Sequence, residues 1–169
     1  MERLWAPWRK AYLRPKSRKK KGCLFCRLLA EKQDDRNLIL KRTAYSFAVL
    51  NRYPYNNGHV MIVPLRHVDS VHALKDREKL DWLALYEEIR EAVRKTMKPH
   101  GCNIGINIGK IGGAGEPHHL HLHMVPRWRG DVNFMPVVGQ TNLVPESLES
   151  THECIMKGLK RKKRKKRSR

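Results

Sequence analysis

The apolar positions of the chain follow two different periods, and each period predicts a different kind of element. Short runs rich in β-branched and aromatic residues, separated by turn residues such as those of 54–58, are typical of strands in an antiparallel meander. They predict strands over 37–41, 45–51 and 59–64, with two further strands over 103–108 and 119–125.

The longest helical pattern covers residues 77–98, with Asp76 as its N-cap and Pro99 as its stop. Its apolar residues fall three or four apart and predict one stripe that lies across the sheet: Leu83, Tyr86, Ile89, Val93 and Met97. Two shorter helices are predicted over 23–31 and 145–158. Groups of strands separated by helices in this order predict the α+β class with an antiparallel sheet.

The charge of the chain is concentrated in two short segments. The 169 residues carry 36 Lys and Arg against 16 Asp and Glu, a formal charge of +20. Residues 14–21 contribute six of these cations and residues 157–169 contribute ten, which leaves the body near neutrality. We therefore expect an aromatic arm and basic linker over 1–21, one folded domain over 22–156 and a disordered basic tail over 157–169.

The expected compartment decides how the cysteines are interpreted, since a reducing compartment keeps them as free thiols or metal ligands. No segment approaches the ~20 apolar residues of a membrane span, and the N-terminus lacks the apolar stretch of a secretory signal, so we expect a cytoplasmic protein with no membrane partner. Cys23 and Cys26 form a Cys-x-x-Cys pair, which is a zinc half-site, a redox pair or neither. A thioredoxin-like pair needs a βαβ context that the pattern lacks. Cys102 and Cys154 are interpreted as small apolar residues.

Three histidines alternate with apolar residues in the last predicted strand. Because successive side chains of a strand point to opposite faces, His119, His121 and His123 share one face, and the opposite face is apolar. A neutral imidazole is a good nucleophile at pH 7, and a neighbouring imidazole can donate hydrogen bonds to phosphoryl oxygens. The glycine-rich loop 109–117 lets backbone N–H groups approach an anion. Incidental histidines or a simple metal site on the strand are the alternatives, and this combination disfavours them.

The segment 119–125, HLHLHMV, matches the pattern His-φ-His-φ-His-φ-φ, where φ is apolar, and resembles the histidine triad (HIT) family. The flanking segment 51–67, NRYPYNNGHVMIVPLRH, resembles the strand-turn-strand that builds the nucleoside pocket of that family. The resemblance covers residues 22–130. Within the family, the LWAPWR arm, the Cys-x-x-Cys pair and the ending VPRWRGDVNFMPV resemble the branch of diadenosine tetraphosphate phosphorylases and hydrolases.

The resemblance implies a five-stranded antiparallel sheet with one long and one short helix, paired as a homodimer. It also implies a two-step cleavage at the α-phosphate of a dinucleoside polyphosphate. His121 would be the nucleophile that becomes adenylylated, and His123 would hydrogen-bond the α-phosphate. The first triad histidine, His119, is counted with them as catalytic. Phosphorolysis and hydrolysis share this intermediate and are not distinguished.

The resemblance also implies the residues that bind the substrate. Asn51 stands where family members bind the ribose, and Asn107 with Gly115 lies in the phosphate loop. Small nucleoside phosphoramidate hydrolases of the family have Gln-Ser before the triad, where this chain has Gly115-Glu116. Glu116 is therefore included among the substrate-binding candidates, and the difference favours the dinucleoside polyphosphate branch.

Some HIT relatives complete a structural zinc site with two histidines, which here are His67 and His119. The resemblance thus implies a closed Cys₂His₂ site, with Cys23 and Cys26 as the other ligands and zinc as a structural cofactor. Buried thiols without metal are the alternative.

Two other functions stay open. A HIT hydrolase that removes adenylate from nucleic-acid ends or from nucleoside phosphoramidates is one, and a non-catalytic nucleotide-binding module is the other. The presence of His121 argues against the second. The basic tail is a solvated segment or a non-specific contact for nucleic acid.

Overall fold

The computed structural model describes residues 22–131 and 146–166. Its elements are α1 Leu24–Glu31, β1 Ile39–Arg42, β2 Ser46–Leu50, β3 Val60–Pro64, α2 Asp76–Met97, β4 Gly101–Ile106, β5 Leu122–Arg127 and α3 Leu148–Lys166. The five strands form one antiparallel sheet in the order β1-β2-β3-β5-β4. The predicted α+β class and five-stranded antiparallel sheet are confirmed, and each strand end lies within three residues of its predicted position.

One face of the sheet packs against α2 and α3. Leu120, Leu122 and Met124, which alternate with the histidines, belong to this buried core. The indole of Trp82 on α2 donates a 2.8 Å hydrogen bond to the Ile62 carbonyl of β3, so the helix is bonded to the sheet as well as packed on it. The apolar face predicted for the histidine strand is therefore the face beneath the long helix.

The predicted stripe of α2 is wrong at its first position. Leu83 is half exposed, whereas Trp82 and Leu85 are buried beside Ile89. Trp82 precedes Ile89 by seven residues, which is close to two full helical turns. Leu83 precedes it by six, which rotates its side chain about 120° away from the core.

The N-cap of α2 also differs from the prediction. The cap residue is Lys75, and Asp76 is the first helical residue. The carboxylate of Glu78 accepts a 2.7 Å hydrogen bond from the Lys75 backbone N–H and forms a 2.7 Å ion pair with Arg66. The carboxylate in the first turn therefore satisfies the backbone amide of the cap residue itself, as the N3 glutamate of a capping box does.

The opposite face of the sheet packs against α1. Phe25 of α1 is buried in a second apolar cluster with Ile39, Phe47, Val49, Met61 and Val63. Met61 on β3 is the direct cross-strand neighbour of His123 on β5. Cross-strand neighbours point to the same side of a sheet, so the histidines lie on the α1 face.

The last helix is longer than predicted. Ile155 and Leu159 anchor α3 in the core, and its backbone stays helical to Lys166, beyond residue 158 and into the segment expected as a disordered tail. Lys and Arg are good helix formers, and each residue added to an anchored helix costs no new nucleation. The division into arm, domain and tail stays a prediction, since residues 1–21 lie outside the described ranges. None of the helices described is long and apolar enough to cross a membrane.

The contact between α2 and α3 depends on Gly158. A Cβ at this position would lie 2.8 Å from the Ala92 carbonyl oxygen and 3.0 Å from Thr96 Cγ2. We predict that Gly158→Ala destabilises the fold by about 1 kcal/mol or more, because the clash outweighs the ~1 kcal/mol that alanine gains in a helix. Urea unfolding measures the difference. Gly101→Ala, where the new Cβ meets nothing within 4 Å, is the control, and equal effects of both variants would contradict the prediction.

Candidate active site

A row of buried imidazoles lies on the α1 face of the sheet. The rings of His121 and His123 are 4.9 Å apart between centroids, and His59, directly before β3, lies 5.0 Å from His123. The side chains of His59, His119, His121 and His123 are all less than 10 % exposed. The row predicted from the period of two is therefore present, and a fourth histidine joins it.

The ring of His121 is oriented by the main chain. Its Nδ1 lies 2.7 Å from the carbonyl oxygen of His119. A carbonyl can only accept a hydrogen bond, so Nδ1 carries a proton, and in the neutral ring Nε2 therefore has the lone pair. This is the tautomer that a histidine nucleophile needs, and the arrangement agrees with the expectation for His121.

The tautomers of His59 and His123 follow from a chain of hydrogen bonds. Nδ1 of His59 accepts from the Tyr55 backbone N–H at 3.1 Å and from the Asn51 side-chain amide at 3.3 Å. The proton of His59 is therefore on Nε2, which donates to His123 Nδ1 at 2.9 Å. His123 in turn carries its proton on Nε2, a buried atom that has no partner among the described residues. A buried donor of this kind is available to an acceptor on a water or on a bound molecule.

The imidazole pair stays neutral at pH 7. Burial, and secondarily the neighbouring imidazoles, lowers the pKa of His59 to about 3 and that of His123 to about 4. Burial also lowers the pKa of His119. A row of cations in such a place would be unfavourable, and a neutral row supplies lone pairs and N–H donors instead.

Sequence reasoning missed His59. It lies 64 residues from His123, and only the antiparallel register of β3 and β5 brings the two rings together. The available signal was a histidine at the start of a strand, directly after the turn that the HIT resemblance already covered.

A cavity of about 740 Å³ opens between α1 and the ends of β1 and β2, and its lining includes Asn51, which hydrogen-bonds His59, and Met61, the cross-strand neighbour of His123. Its lining combines apolar side chains with amides and arginines, among them Leu24, Leu28, Val49, Met61, Asn51, Arg27, Arg36 and Arg52. The volume and the mixed lining suit a small organic ligand. A second cavity, of about 580 Å³, lies beside Trp128 and Cys154, and no histidine is among the described lining residues of either cavity.

The predicted substrate residues take different places. Asn51 lines the first cavity and hydrogen-bonds His59. Asn107 donates a 3.4 Å hydrogen bond to the Gly113 carbonyl within the glycine-rich loop, where Gly113 has φ +87° and Gly115 is exposed. Glu116 accepts a 3.0 Å hydrogen bond from the Leu24 backbone N–H, so its carboxylate lies at the N-terminus of α1.

The structure brings all four predicted metal ligands together. One ligand atom from each of Cys23, Cys26, His67 and His119 lies within 4.8 Å of the other three. His119 Nδ1 is 3.2 Å from Cys23 Sγ and 3.7 Å from Cys26 Sγ, and His67 Nδ1 is 3.4 Å from Cys26 Sγ. Ligands of tetrahedral zinc at 2.0–2.3 Å are separated by about 3.3–3.8 Å. The cluster therefore fits a tetrahedral metal ion.

Two further features suit this cluster to a metal. His119 Nε2 donates a 2.9 Å hydrogen bond to the Pro64 carbonyl, which directs the lone pair of Nδ1 at the two sulfurs. Burial raises the pKa of the Cys23 thiol to about 11, so its thiolate form requires a nearby positive charge. A divalent cation supplies that charge.

The HIT domain family model matches residues 31–130, and the chain belongs to the HIT family. It is 35 % identical over 162 residues to an AP-4-A phosphorylase of Mycobacterium tuberculosis, covering 92 % of this chain and 83 % of that protein. It is 31 % identical over 93 residues to a bis(5'-nucleosyl)-tetraphosphatase [asymmetrical] of Schizosaccharomyces pombe, covering 55 % of this chain and 50 % of that one. These relatives and the family identify the chain as an enzyme.

Among solved structures, the fold is similar to the crystal structure of a Zn-bound histidine triad family protein from Mycobacterium smegmatis. The TM-score is 0.68 with 22 % identity, and the match covers 84 % of this chain and 96 % of that one.

The neutral state of His59 has a consequence for stability. In the unfolded chain a histidine binds a proton below about pH 6.5, whereas folded His59 stays neutral down to about pH 3. The unfolded state therefore binds more protons in this window, and the free energy of unfolding falls as the pH falls, by up to about 1.4 kcal/mol per pH unit.

We predict that His59→Gln, which cannot titrate, makes this loss shallower between pH 6.5 and pH 5. Urea unfolding of both proteins at each pH measures it. Both keep the Cys₂His₂ cluster, so any metal loss in acid is common to them. Parallel pH profiles for the two proteins would contradict the neutral assignment of His59.

Proposed function

We propose that this protein cleaves dinucleoside polyphosphates such as diadenosine tetraphosphate at an α-phosphate, through an adenylyl intermediate on His121. The observation that supports this most directly is the pair of complementary atoms on the histidine row. His121 Nε2 keeps a lone pair, and the neighbouring His123 Nε2 carries a buried proton without a partner among the described residues.

In the first step the lone pair of His121 Nε2 forms a bond to the α-phosphorus. The bond from phosphorus to the bridging oxygen breaks, and the leaving nucleotide takes the electron pair. The imidazole keeps its Nδ1 proton and becomes cationic, a state that the hydrogen bond to the His119 carbonyl stabilises. In the second step phosphate or water forms a bond to the same phosphorus, and the bond from phosphorus to Nε2 breaks, so that the imidazole leaves as the neutral ring. When water is the nucleophile, its proton is released to solvent.

His123 would donate its Nε2 proton as a hydrogen bond to a non-bridging oxygen of the α-phosphate. His59 holds that tautomer in place through its 2.9 Å hydrogen bond. A polyphosphate leaves as a stable anion and needs no proton, whereas the amine of a phosphoramidate must be protonated to leave. The low pKa values of His59 and His123, about 3 and 4, therefore favour the polyphosphate substrate over the phosphoramidate alternative.

The nucleoside would occupy the 740 Å³ cavity, with Asn51 at the ribose. The loop that carries Asn107 and Gly115 would bind phosphate oxygens through backbone N–H groups. We assign His119 and Glu116 no direct contact with the reacting phosphate. The His119 side chain lies in the Cys₂His₂ cluster, and the Glu116 carboxylate lies at the N-terminus of α1.

We also propose that the Cys₂His₂ cluster holds a structural zinc ion. Such a site is closed by four protein ligands, so the ion would stabilise the fold and neutralise the thiolates. Cys23 and Cys26 lie at α1, His67 follows β3, and His119 begins the histidine row. These four residues would thus hold α1 against the strand that carries the nucleophile.

A homodimer is part of the proposal. β4 is an edge strand, and its Ile104 side chain is 55 % exposed. An exposed edge with apolar side chains is a surface on which a second copy can pair. Contact of the basic tail with nucleic acid and a cytoplasmic location stay predictions.

One incubation tests the proposed reaction. The protein is mixed with diadenosine tetraphosphate, with and without inorganic phosphate, and the products are separated. ADP that appears only with phosphate identifies a phosphorylase, and AMP with ATP identifies a hydrolase. Absence of turnover under both conditions would contradict the proposed substrate.

We predict that His121→Asn keeps the melting temperature within a few degrees and lowers turnover by about 10²-fold or more, because the group that forms the covalent bond is lost. His123→Ala should lose less, since it removes one hydrogen bond to the phosphate. His118→Asn, an exposed neighbour outside the row, is the control and should keep full turnover.

The intermediate itself is detectable. Mass spectrometry of wild-type protein quenched during turnover should show an added AMP on the peptide that contains 119–127. Near wild-type turnover of His121→Asn, or an adduct on Lys110 instead, would contradict the covalent mechanism.

We predict one zinc ion per chain, measured by elemental analysis of the purified protein. Cys23→Ser should lose the ion and lower the melting temperature, because one ligand is removed and the ion no longer links α1 to the other ligands. Cys102→Ser, at a partly buried thiol outside the cluster, should keep the ion. A folded wild-type preparation without metal would contradict the site.

A further inference from the structure

Phe25 occupies an unusual place between the two candidate metal ligands of α1. It follows Cys23 by two residues and directly precedes Cys26. Its side chain is 2 % exposed, and its ring lies 5.3 Å from the His119 ring and 5.1 Å from the His121 ring, between centroids. Both distances are in the range of packed aromatic pairs. Phe25 is therefore in contact with the metal cluster residue and with the candidate nucleophile.

The other groups that orient His121 lie in its own chain segment. The His119 carbonyl, 2.7 Å from Nδ1, fixes one atom of the ring, and the His123 ring packs beside it at 4.9 Å. One hydrogen bond still leaves the ring free to swing about the bonded atom. Phe25 contacts the ring from a different element, at an interplanar angle of 48°, and limits that swing.

We propose that Phe25 is a positioning residue for the nucleophile, holding the His121 ring so that Nε2 stays in line with the α-phosphorus. The inference rests on the proposed function, because it takes His121 as the nucleophile. The contact that orients the His121 ring is present without substrate. Displacing a reacting atom by about 1 Å can cost up to 10²-fold in rate.

Contacts of three neighbouring residues fix the position of Phe25 at the start of α1. Cys23 and Cys26 flank it and belong to the Cys₂His₂ cluster. The Glu116 carboxylate accepts the Leu24 N–H at 3.0 Å, which joins the helix to the glycine-rich loop. The position of Phe25 is thereby set by the same cluster that includes His119.

A direct effect of Phe25 on nucleoside binding is not expected. Leu24, Arg27 and Leu28 of α1 line the 740 Å³ cavity, and Phe25 is not among its lining residues. Loss of the Phe25 ring should therefore change kcat and leave KM nearly unchanged. A residue that lined the nucleoside site would change KM first.

The chain offers a matched control in Phe47. It is equally buried, belongs to the same apolar cluster and lies 6.3 Å from Phe25 between ring centroids. Among the described residues, the His121 ring packs against the rings of Phe25 and His123 and not against that of Phe47. Phe25→Leu and Phe47→Leu should lower the melting temperature by similar amounts, since each removes the same atoms from the same cluster.

The test compares the two variants at equal metal content. Phe25→Leu should lower kcat for diadenosine tetraphosphate by about 10-fold or more with KM within about threefold, while Phe47→Leu should keep kcat within about twofold of wild type. Phe25→Met, which fills more of the volume, replaces Phe25→Leu if that variant folds poorly.

A second readout needs no substrate. Nuclear Overhauser contacts between the ring protons of His121 and His123 report the orientation of the His121 ring. Wild type and Phe47→Leu should show the same contacts, consistent with the 4.9 Å between the ring centroids, and Phe25→Leu should show weaker or averaged contacts. Equal kcat and unchanged ring contacts in both variants would overturn the proposal. If wild type did not turn over the dinucleotide, the proposed function would fail, and the ring contacts would still decide the role of Phe25.

Discussion

His119 joins three parts of the molecule through three of its polar atoms. Its Nε2 donates a hydrogen bond to the Pro64 carbonyl of β3, and its Nδ1 faces the sulfurs of Cys23 and Cys26. Its backbone carbonyl accepts a hydrogen bond from His121 Nδ1. Rotating this one ring would break the bond to the sheet and remove a candidate metal ligand together. Moving its backbone would release the ring of the candidate nucleophile. The proposed ion would therefore bind the Nδ1 atom of His119, while the proposed reaction depends on its backbone carbonyl.

The strand alternation that exposes this chemistry also limits what can surround it. Leu120, Leu122 and Met124 hold the segment against α2, so the imidazoles must point towards α1, where the neighbouring side chains are apolar. In such a place each imidazole N–H must find an acceptor. The chain of hydrogen bonds from Asn51 through His59 to His123 ends at the proton on His123 Nε2, which has no acceptor among the described residues and lies next to the His121 ring.

Local patterns predicted those features that depend on a single strand or helix. The shared face of the three triad histidines follows from a period of two, and the stop of α2 follows from Pro99. Local patterns did not predict features that depend on strand register or on which of two adjacent residues caps a helix. His59 meets His123 only through the register of β3 with β5. Lys75 became the N-cap because Glu78 supplied an acceptor from within the helix. The spacing of Cys23 and Cys26 indicated a possible zinc half-site, but His67 and His119 as its other ligands came from the family resemblance, since spacing alone does not bring His67 to Cys26.

Burial of the row acts in opposite directions on the two steps of the proposed reaction. It lowers the pKa of His59 and His123, so these two rings stay neutral beside the candidate nucleophile at pH 7. Once the lone pair of His121 bonds to phosphorus, the ring is cationic in surroundings that disfavour a cation, and the His119 carbonyl at 2.7 Å provides compensation. In the proposed reaction this hydrogen bond would stabilise the intermediate, and burial would still disfavour its charge. Attack by phosphate or water would restore the neutral ring, so burial of the row would make the imidazole a good leaving group.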